Sequence, residues 1–375
     1  MKIRINGTEI GNWTTLTVGR HFLDLCGTFQ FETSADNTGV YLPLKTQQKC
    51  EIIVENTTFL TGYIEKLTIS GSSQSTRFIV EGRDQTCDIV DSTVPYDFLE
   101  QYKNVTTVKE VAQTIVNKLG LENTVKVLTT VTLPDLSPGT YINSFIGERA
   151  YDLLQRYAKL SNVYTVTDGL GNIVFTRVAS NFNSDLIDTP LINWYNDPSN
   201  NVLNFEYSLD TTQLYHLYRA YSQIGLKFVS DASQLNGGET VVGNAIDESI
   251  RPSRQWVFID DIAVDEQSAP DRAIWEKNYR QSKFEAYTCT VQGHTIPNTL
   301  KIWTPNTLVI VFDRSASLAG KIFLIDSVSF KESVDNGKTT RLHCVNPLSY
   351  TLQLQENYYS SRARTGGNFF DANQL

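Results

Sequence analysis

"LVIVFDRSASLAGKIFLIDSVSF" spans Leu308–Phe330. A short apolar run passes a polar turn, reaches Ala319-Gly320 and enters a second apolar run with strand alternation. About 260 residues earlier, "EIIVENTTFLTGYIEKLTIS" at Glu51–Ser70 does the same through Thr61-Gly62. Each copy then turns into a strand that carries an arginine. One is "STRFIVEGRD" (Ser75–Asp84) with Arg77; the other is "KTTRLHCVNP" (Lys338–Pro347) with Arg341. The repetition predicts two similar small antiparallel β-barrels, with Gly62 and Gly320 at equivalent positions.

The rest of the chain sorts around these two units. Residues 1–95 are short strands rich in β-branched and aromatic residues, separated by Gly, Asn and Ser turns, and form the first barrel. The texture changes at "VPYDFLEQYKNVT". In "TVKEVAQTIVNKLG", Thr107 and Glu110 have capping-box spacing, Val108, Val111, Ala112, Ile115 and Leu119 recur at helical spacing, and Gly120 suits the C-terminal cap. A second helix is expected in "GERAYDLLQRYAKLS", with Ala150, Leu153, Leu154, Tyr157 and Ala158 on one face. It leads into a hairpin, "VYTVTDGLGNIVFTR". Residues 96–190 therefore read as an α/β domain. Residues 191–345 hold the second barrel, with 226–284 as an inserted segment that contains a helix from Ser268, where Pro270 sits in the first turn and Asp271 meets the positive end of the dipole. Residues 346–375 form a C-terminal arm that reads either as a disordered end or as a partner-binding arm, in which Phe369-Phe370 follow "RARTGG" as an anchor follows a tether. The fold class is mainly β with α+β parts.

Composition narrows the function. A 41% hydrophobic share supports packed cores, and the formal charge of −9 with no Lys/Arg-rich run argues against a nucleic-acid binder. "MKIRINGTEIGNW" alternates like a strand and does not read as a signal peptide, and no apolar run approaches the ~20 residues that span a bilayer. The Asn-x-Thr matches at Asn6, Asn12, Asn56 and Asn104 then carry no weight. Cys26, Cys50, Cys87, Cys289 and Cys344 form no C-x-x-C and read as reduced thiols packed in strands. His21, His216, His294 and His343 are scattered, and the neighbours His343 and Cys344 point to opposite faces of a strand, so no metal is expected.

Catalytic patterns are absent. There is no G-x-S-x-G, H-E-x-x-H or Walker loop. The acid pairs Asp260-Asp261 and Asp265-Glu266 have no spacing that fixes them across a cleft. "DGLGN" precedes a strand and reads as a hairpin turn, not a phosphate loop. Arg77 and Arg341 are clamps for an anion or, preferably, edge-strand charges that discourage wrong pairing. Tyr207, Tyr215, Tyr218 and Tyr221 form a stacking surface or, preferably, a barrel wall or subunit interface. Trp303 is expected to close one end of the second barrel. No catalytic, cofactor-binding or metal-binding residue is assigned.

Three segments together resemble the baseplate hub proteins of Mu-like contractile-tailed phages, whose hub module is similar to that of type VI secretion spikes. They are "GYIEKLTISGSSQSTRFIVEGRDQTCDIVDS", "GERAYDLLQRYAKLSNVYTVTDGLGNIVFTR" and "IWTPNTLVIVFDRSASLAGKIFLIDSVSFKESVDNGKTTRLHCVNPLSY". The resemblance implies a structural, cofactor-free homotrimer in the virion baseplate, assembled in the host cytoplasm. It would join a sixfold tail tube, or its distal adaptor, to a threefold central spike. Wedge proteins and the tape-measure end would be further partners, and DNA would pass through the lumen without specific binding. The acidic charge leads to the expectation of an acidic lumen that repels phosphate. The competing readings are a tail receptor- or carbohydrate-binding β protein, which would bind cells or glycans alone, and a tail-associated cell-wall hydrolase, which would clear peptidoglycan.

Overall fold

The computed structural model describes residues 1–11, 13–36, 44–72, 75–94, 105–136, 142, 144, 146–161, 163–179, 185–223, 240–259 and 268–350. The protein is mainly β, and a thirteen-stranded sheet organises it. Its first unit comprises β1 (Lys2–Ile5), β2 (Thr8–Ile10), β3 (Trp13–His21), β4 (Thr28–Asp36), β5 (Lys49–Val54), β6 (Thr57–Gly71) and β7 (Ser75–Asp84). After it come α1 (Cys87–Asp91), α2 (Val108–Lys118), β8 (Val127–Thr129), α3 (Ala150–Leu160) and the hairpin β9 (Tyr164–Thr167) and β10 (Ile173–Thr176). The chain returns to the large sheet with β11 (Leu191–Asn193) and β12 (Val202–Leu209), then leaves it for β13 (Leu217–Gln223), β14 (Thr240–Ile246), β15 (Gln255–Ile259) and α4 (Ser268–Ser282). The second unit ends with β16 (Glu285–Gln292), β17 (Thr307–Asp313), β18 (Leu318–Ser333) and β19 (Gly337–Val345).

The two units do not stand as separate closed barrels among the described residues. Their strands follow one path, β12-β16-β19-β18-β3-β4-β7-β6-β5-β1-β2, with β17 and β11 attached at β18. The join is the antiparallel pairing of β3 with β18, from Thr15 opposite Ser333 to His21 opposite Ser327. The reason is that β18 is long. Its N-terminal half pairs with β17, and its C-terminal half exposes the same edge to β3.

The duplication is recorded in the bulges. In the first unit the ladder skips Thr14, Phe59 and Glu65; in the second it skips Leu203, Gly320 and Asp326. A bulge inserts one unpaired residue and bends the strand, so matched bulges fix an alignment independent of side-chain type. By that alignment β3, β4, β5, β6 and β7 correspond to β12, β16, β17, β18 and β19. Gly320 corresponds to Phe59, and Gly62 corresponds to Phe323. The predicted equivalence of Gly62 and Gly320 is therefore off by three residues. The apolar runs alone do not reveal bulges, each of which shifts the count by one.

Alternation along each strand buries one face. The apolar sides of both units meet in a single core that includes Leu16, Val18, Phe31, Val80, Tyr287, Phe323 and Leu342. Phe59 of one unit packs edge-on against Phe330 of the other, with centroids 4.9 Å apart. The helical segment has its own core under α2 and α3. Thr107 caps α2 as expected: its hydroxyl accepts from Glu110 N, while the Glu110 carboxylate accepts from Thr106 N and Oγ1. Gly120 follows with φ +71. The predicted apolar face of α3 is buried at Ala150, Leu153, Leu154, Tyr157 and Ala158.

The segment between β12 and β16 forms a separate three-stranded sheet, β14-β13-β15, covered by α4. Among the described residues its buried apolar core is Tyr218, Ala220, Ala245 and Ala273. Arginine–aromatic stacking supplements it. The Arg280 guanidinium lies 4.1 Å from the Trp256 ring centroid and Arg272 lies 4.4 Å from that of Trp275, and the buried Glu276 pairs with both arginines at 2.7 and 2.9 Å.

Candidate assembly surface

Eight strands of the large sheet, β12-β16-β19-β18-β3-β4-β7-β6, form a continuous band. One face of the band is the shared core. The opposite face carries Thr288, Thr290, Thr339, Ser327, Ser329, Thr15, Thr17, Thr28 and Gln30 in register across neighbouring strands. A shallow groove crosses this face where Gly19 supplies no side chain. Basic and acidic groups interleave there. Lys66 pairs with Glu81 at 3.0 Å, Arg77 with Glu32 at 2.6 Å and Arg83 with Glu65 at 2.6 Å. The acidic excess of the chain is therefore not concentrated on this face.

Two of the matched bulges place a carboxylate at the same point in each unit. Glu65 accepts from Arg83, which also pairs with Asp91, and these bonds hold the guanidinium pKa up. Asp326 accepts from His21 Nε2 at 2.8 Å and from the Tyr350 hydroxyl, and His343 Nε2 lies 3.9 Å away. The hydrogen bond to Asp326 raises the His21 pKa, with weaker help from Asp24. A raised folded pKa means that this pair stabilises fully below the unfolded value near ~6.5 and loses that contribution as pH rises through the folded value. His21→Gln is expected to lose more stability relative to wild type at pH 5.5 than at pH 8.5, read from urea midpoints. An equal loss at both pH values would show that the imidazolium contributes nothing. His294, whose pKa burial lowers, has the opposite slope and is common to both proteins.

The junction between the first unit and the helical segment is polar and buried. Asp84, fully buried at the end of β7, accepts from Gly27 N (3.0 Å), Thr86 N (3.0 Å), Thr167 Oγ1 (2.8 Å) and the Thr86 hydroxyl. Burial pushes its carboxyl pKa up, against these donors. Arg20 lies beside it, over the Phe59 ring at 5.0 Å and donating to Thr167 O at 3.1 Å. The "DGLGN" turn docks here: Thr61 N donates to Gly169 O at 2.7 Å, and Gly169 and Gly171 have φ +82 and +90. The turn is structural, as expected.

Other residues singled out in the sequence disperse. Arg77 lies on β7 and Arg341 on β19, and both strands are interior to the sheet, so neither charge guards an edge. They are not equivalent either: the bulges align Arg341 with Ile79. The tyrosines divide. Tyr207 is on β12 with its hydroxyl 2.5 Å from Glu285, whereas Tyr215, Tyr218 and Tyr221 belong to the small sheet or its approach. Trp303 is fully buried in the shared core. His343 is half-buried on the polar face and Cys344 is buried in the core, on opposite sides of β19. Cys50, Cys289 and Cys344 are strand residues, but Cys87 opens α1 and Cys26 lies in the turn before β4. Asp260, Asp261, Asp265, Glu266 and the arm with Phe369 and Phe370 lie outside the described residues. Sequence reading missed Asp84, which stands in an ordinary strand pattern. No helix among the described residues is long and apolar enough to cross a membrane.

Comparison with known proteins agrees with this architecture. Residues 1–84 match the family described as Mu phage baseplate assembly protein GpP-like, N-terminal, and residues 86–177 match Baseplate hub protein gp44-like, second domain. The chain is 22% identical over 348 residues to baseplate hub protein gp44 of Escherichia phage Mu, covering 91% of this chain and 86% of that one. The fold is similar to that of a 43 kDa tail protein from prophage MuSo2 of Shewanella oneidensis. The TM-score is 0.77 at 24% identity, over 94% and 99% of the two chains. A tail protein from Neisseria meningitidis MC58 gives a TM-score of 0.74 at 18% identity, over 94% and 98%. These relatives are a baseplate hub protein and two tail proteins. Along most of its length the chain is thus similar to the baseplate hub and tail proteins of Mu-like phages.

Proposed function

We propose that the chain assembles as a homotrimeric ring at the centre of the baseplate, joining a sixfold tail tube or its distal adaptor above to a threefold spike below. The internal duplication carries this reading. Each chain presents two units with the same strand order and three matched bulges, so three chains present six similar surfaces around one threefold axis. In that ring the uncovered face of the eight-strand band lines the lumen. Its interleaved charges and hydroxyls make a near-neutral lining in place of the expected acidic one. Such a lining offers few net charges to phosphate and lets DNA pass without binding. Wedge proteins and the end of the tape-measure protein contact the outer surfaces, and assembly precedes release from the host cytoplasm. The chain works as units 1–95, 96–190 and 191–345, followed by the arm 346–375; the insert in the third unit includes β13 and so starts before the expected residue 226.

Sedimentation of purified protein and threefold class averages of baseplates test the ring. The expected mass is 3 × 42.2 ≈ 127 kDa. The averages should show one threefold axis and six similar lobes. A sixfold or monomeric hub in the assembled baseplate would overturn it.

A further inference from the structure

The pairing of β3 with β18 inside one chain is half of a pattern. β12 corresponds to β3 and β6 corresponds to β18, yet neither makes the matching contact within the chain. β12 ends the strand path, and the edge of β6 beyond Ile64 that faces away from β7 has no strand partner among the described residues. The side chains register the vacancy. Phe330 is fully buried at the internal join, whereas its equivalent Ile69 is 58% exposed. Leu16 and Val18 are fully buried, whereas on β12 Phe205, the equivalent of Leu16, is 37% exposed and the nearby Leu209 is 54% exposed. Open edges with apolar side chains are templates for another chain.

We propose that β12 of one copy pairs antiparallel with the C-terminal half of β6 of the next, in the register of the β3–β18 join. Transferring that register through the bulge alignment sets Lys66 opposite Asp210, Leu67 opposite Leu209, Thr68 opposite Ser208, Ile69 opposite Tyr207 and Ser70 opposite Glu206. The pairing is complementary throughout: apolar meets apolar on the core side, and a lysine meets an aspartate on the other. A one-residue slip would set Ile69 against a polar neighbour and turn one apolar face outward. The occupant of each edge is therefore a second copy of this chain. This inference rests on the trimeric reading and specifies its seam.

Cysteine cross-linking tests the register. Ile69→Cys with Tyr207→Cys places Cβ atoms directly opposite, within reach of a disulfide, whereas Ile69→Cys with Phe205→Cys places them on a diagonal of ~7–8 Å. Mild oxidation of the purified trimer or of assembled tails should link the first pair into species of two and three chains at least tenfold faster than the second. Leu67→Cys with Leu209→Cys should behave like the first pair. A trimer by sedimentation in which the diagonal pair links as fast, or no pair links, overturns the seam and leaves the trimer standing. A protein that is monomeric in solution and in tails removes both. Ile69→Asp gives a separate reading. It should retain wild-type circular dichroism and lose at least tenfold in self-association; unchanged assembly would sink the proposal.

Discussion

Gly62→Ala is expected to cost about 3 kcal/mol or more of stability, beyond ordinary overpacking. Gly62 lies midway along β6, held between Cys50 of β5 and Asp84 of β7. A Cβ there would lie 1.7 Å from the Arg83 carbonyl oxygen and 2.6 Å from Asp84 Cα. These are backbone atoms fixed by two ladders, so no side chain can swing aside. Gly320 offers the contrast. Its φ of +93 suits the unpaired residue of a bulge, and an added Cβ would meet only the edge of the Phe312 ring, at 3.0 and 3.1 Å. A ring can shift, which leaves mainly the left-handed backbone cost of about 1–2 kcal/mol. Urea unfolding of the two variants should rank Gly62→Ala well below Gly320→Ala. Equal losses would contradict the bulge alignment, because true equivalents are constrained alike.

The contrast also shows what the sequence could and could not reveal. The duplicated apolar runs made the two β units legible, since burial of one sheet face imposes a period of two wherever it occurs. The helices α2 and α3 were legible to the side chain, because capping chemistry and helical spacing are local. The joining of both units into one sheet was not. Strand partners are chosen by long-range register, and nothing local in Thr15–His21 names Ser327–Ser333 as its partner. The bulges were invisible for a similar reason: an unpaired residue looks like any other until the ladder is seen. That is why Gly62 was matched with Gly320, and Arg77 with Arg341. Both errors vanish once Phe59, Glu65, Gly320 and Asp326 are recognised as skipped positions. The candidate surface was legible only in outline. Its hydroxyl-rich face is the polar half of each strand's alternation, but its unfinished edges needed the internal join as a template.

Asp84→Ala is expected to destabilise the protein by about 3–5 kcal/mol, because it strips a buried charged network of its acceptor. Four donations from Gly27, Thr86 and Thr167 end on this carboxylate, and Arg20 lies buried beside it with Nε lacking a hydrogen-bond partner among the described residues. Removing the acceptor leaves two amides and the Thr167 hydroxyl unsatisfied, the Thr86 hydroxyl still reaching Leu25 O, and leaves the buried Arg20 guanidinium with Asp168 alone of its two nearby negative charges. Asp84→Asn separates shape from acceptance. The amide fills the same space, but its NH2 must face a group that already donates, so about 1–3 kcal/mol should still be lost. The location of the loss is as informative as its size. Asp84 ties β7 to the turn before β4, to the start of α1 and to the hairpin β9–β10. The Thr61 N–Gly169 O bond beside it should therefore open before the sheet itself unfolds. Hydrogen exchange in Asp84→Asn should rise first at the Thr61 amide and in the 86–177 segment, while β18 and β19 stay protected. Uniform exchange across the chain, or stability equal to wild type in Asp84→Asn, would show that this carboxylate does not hold the two parts together.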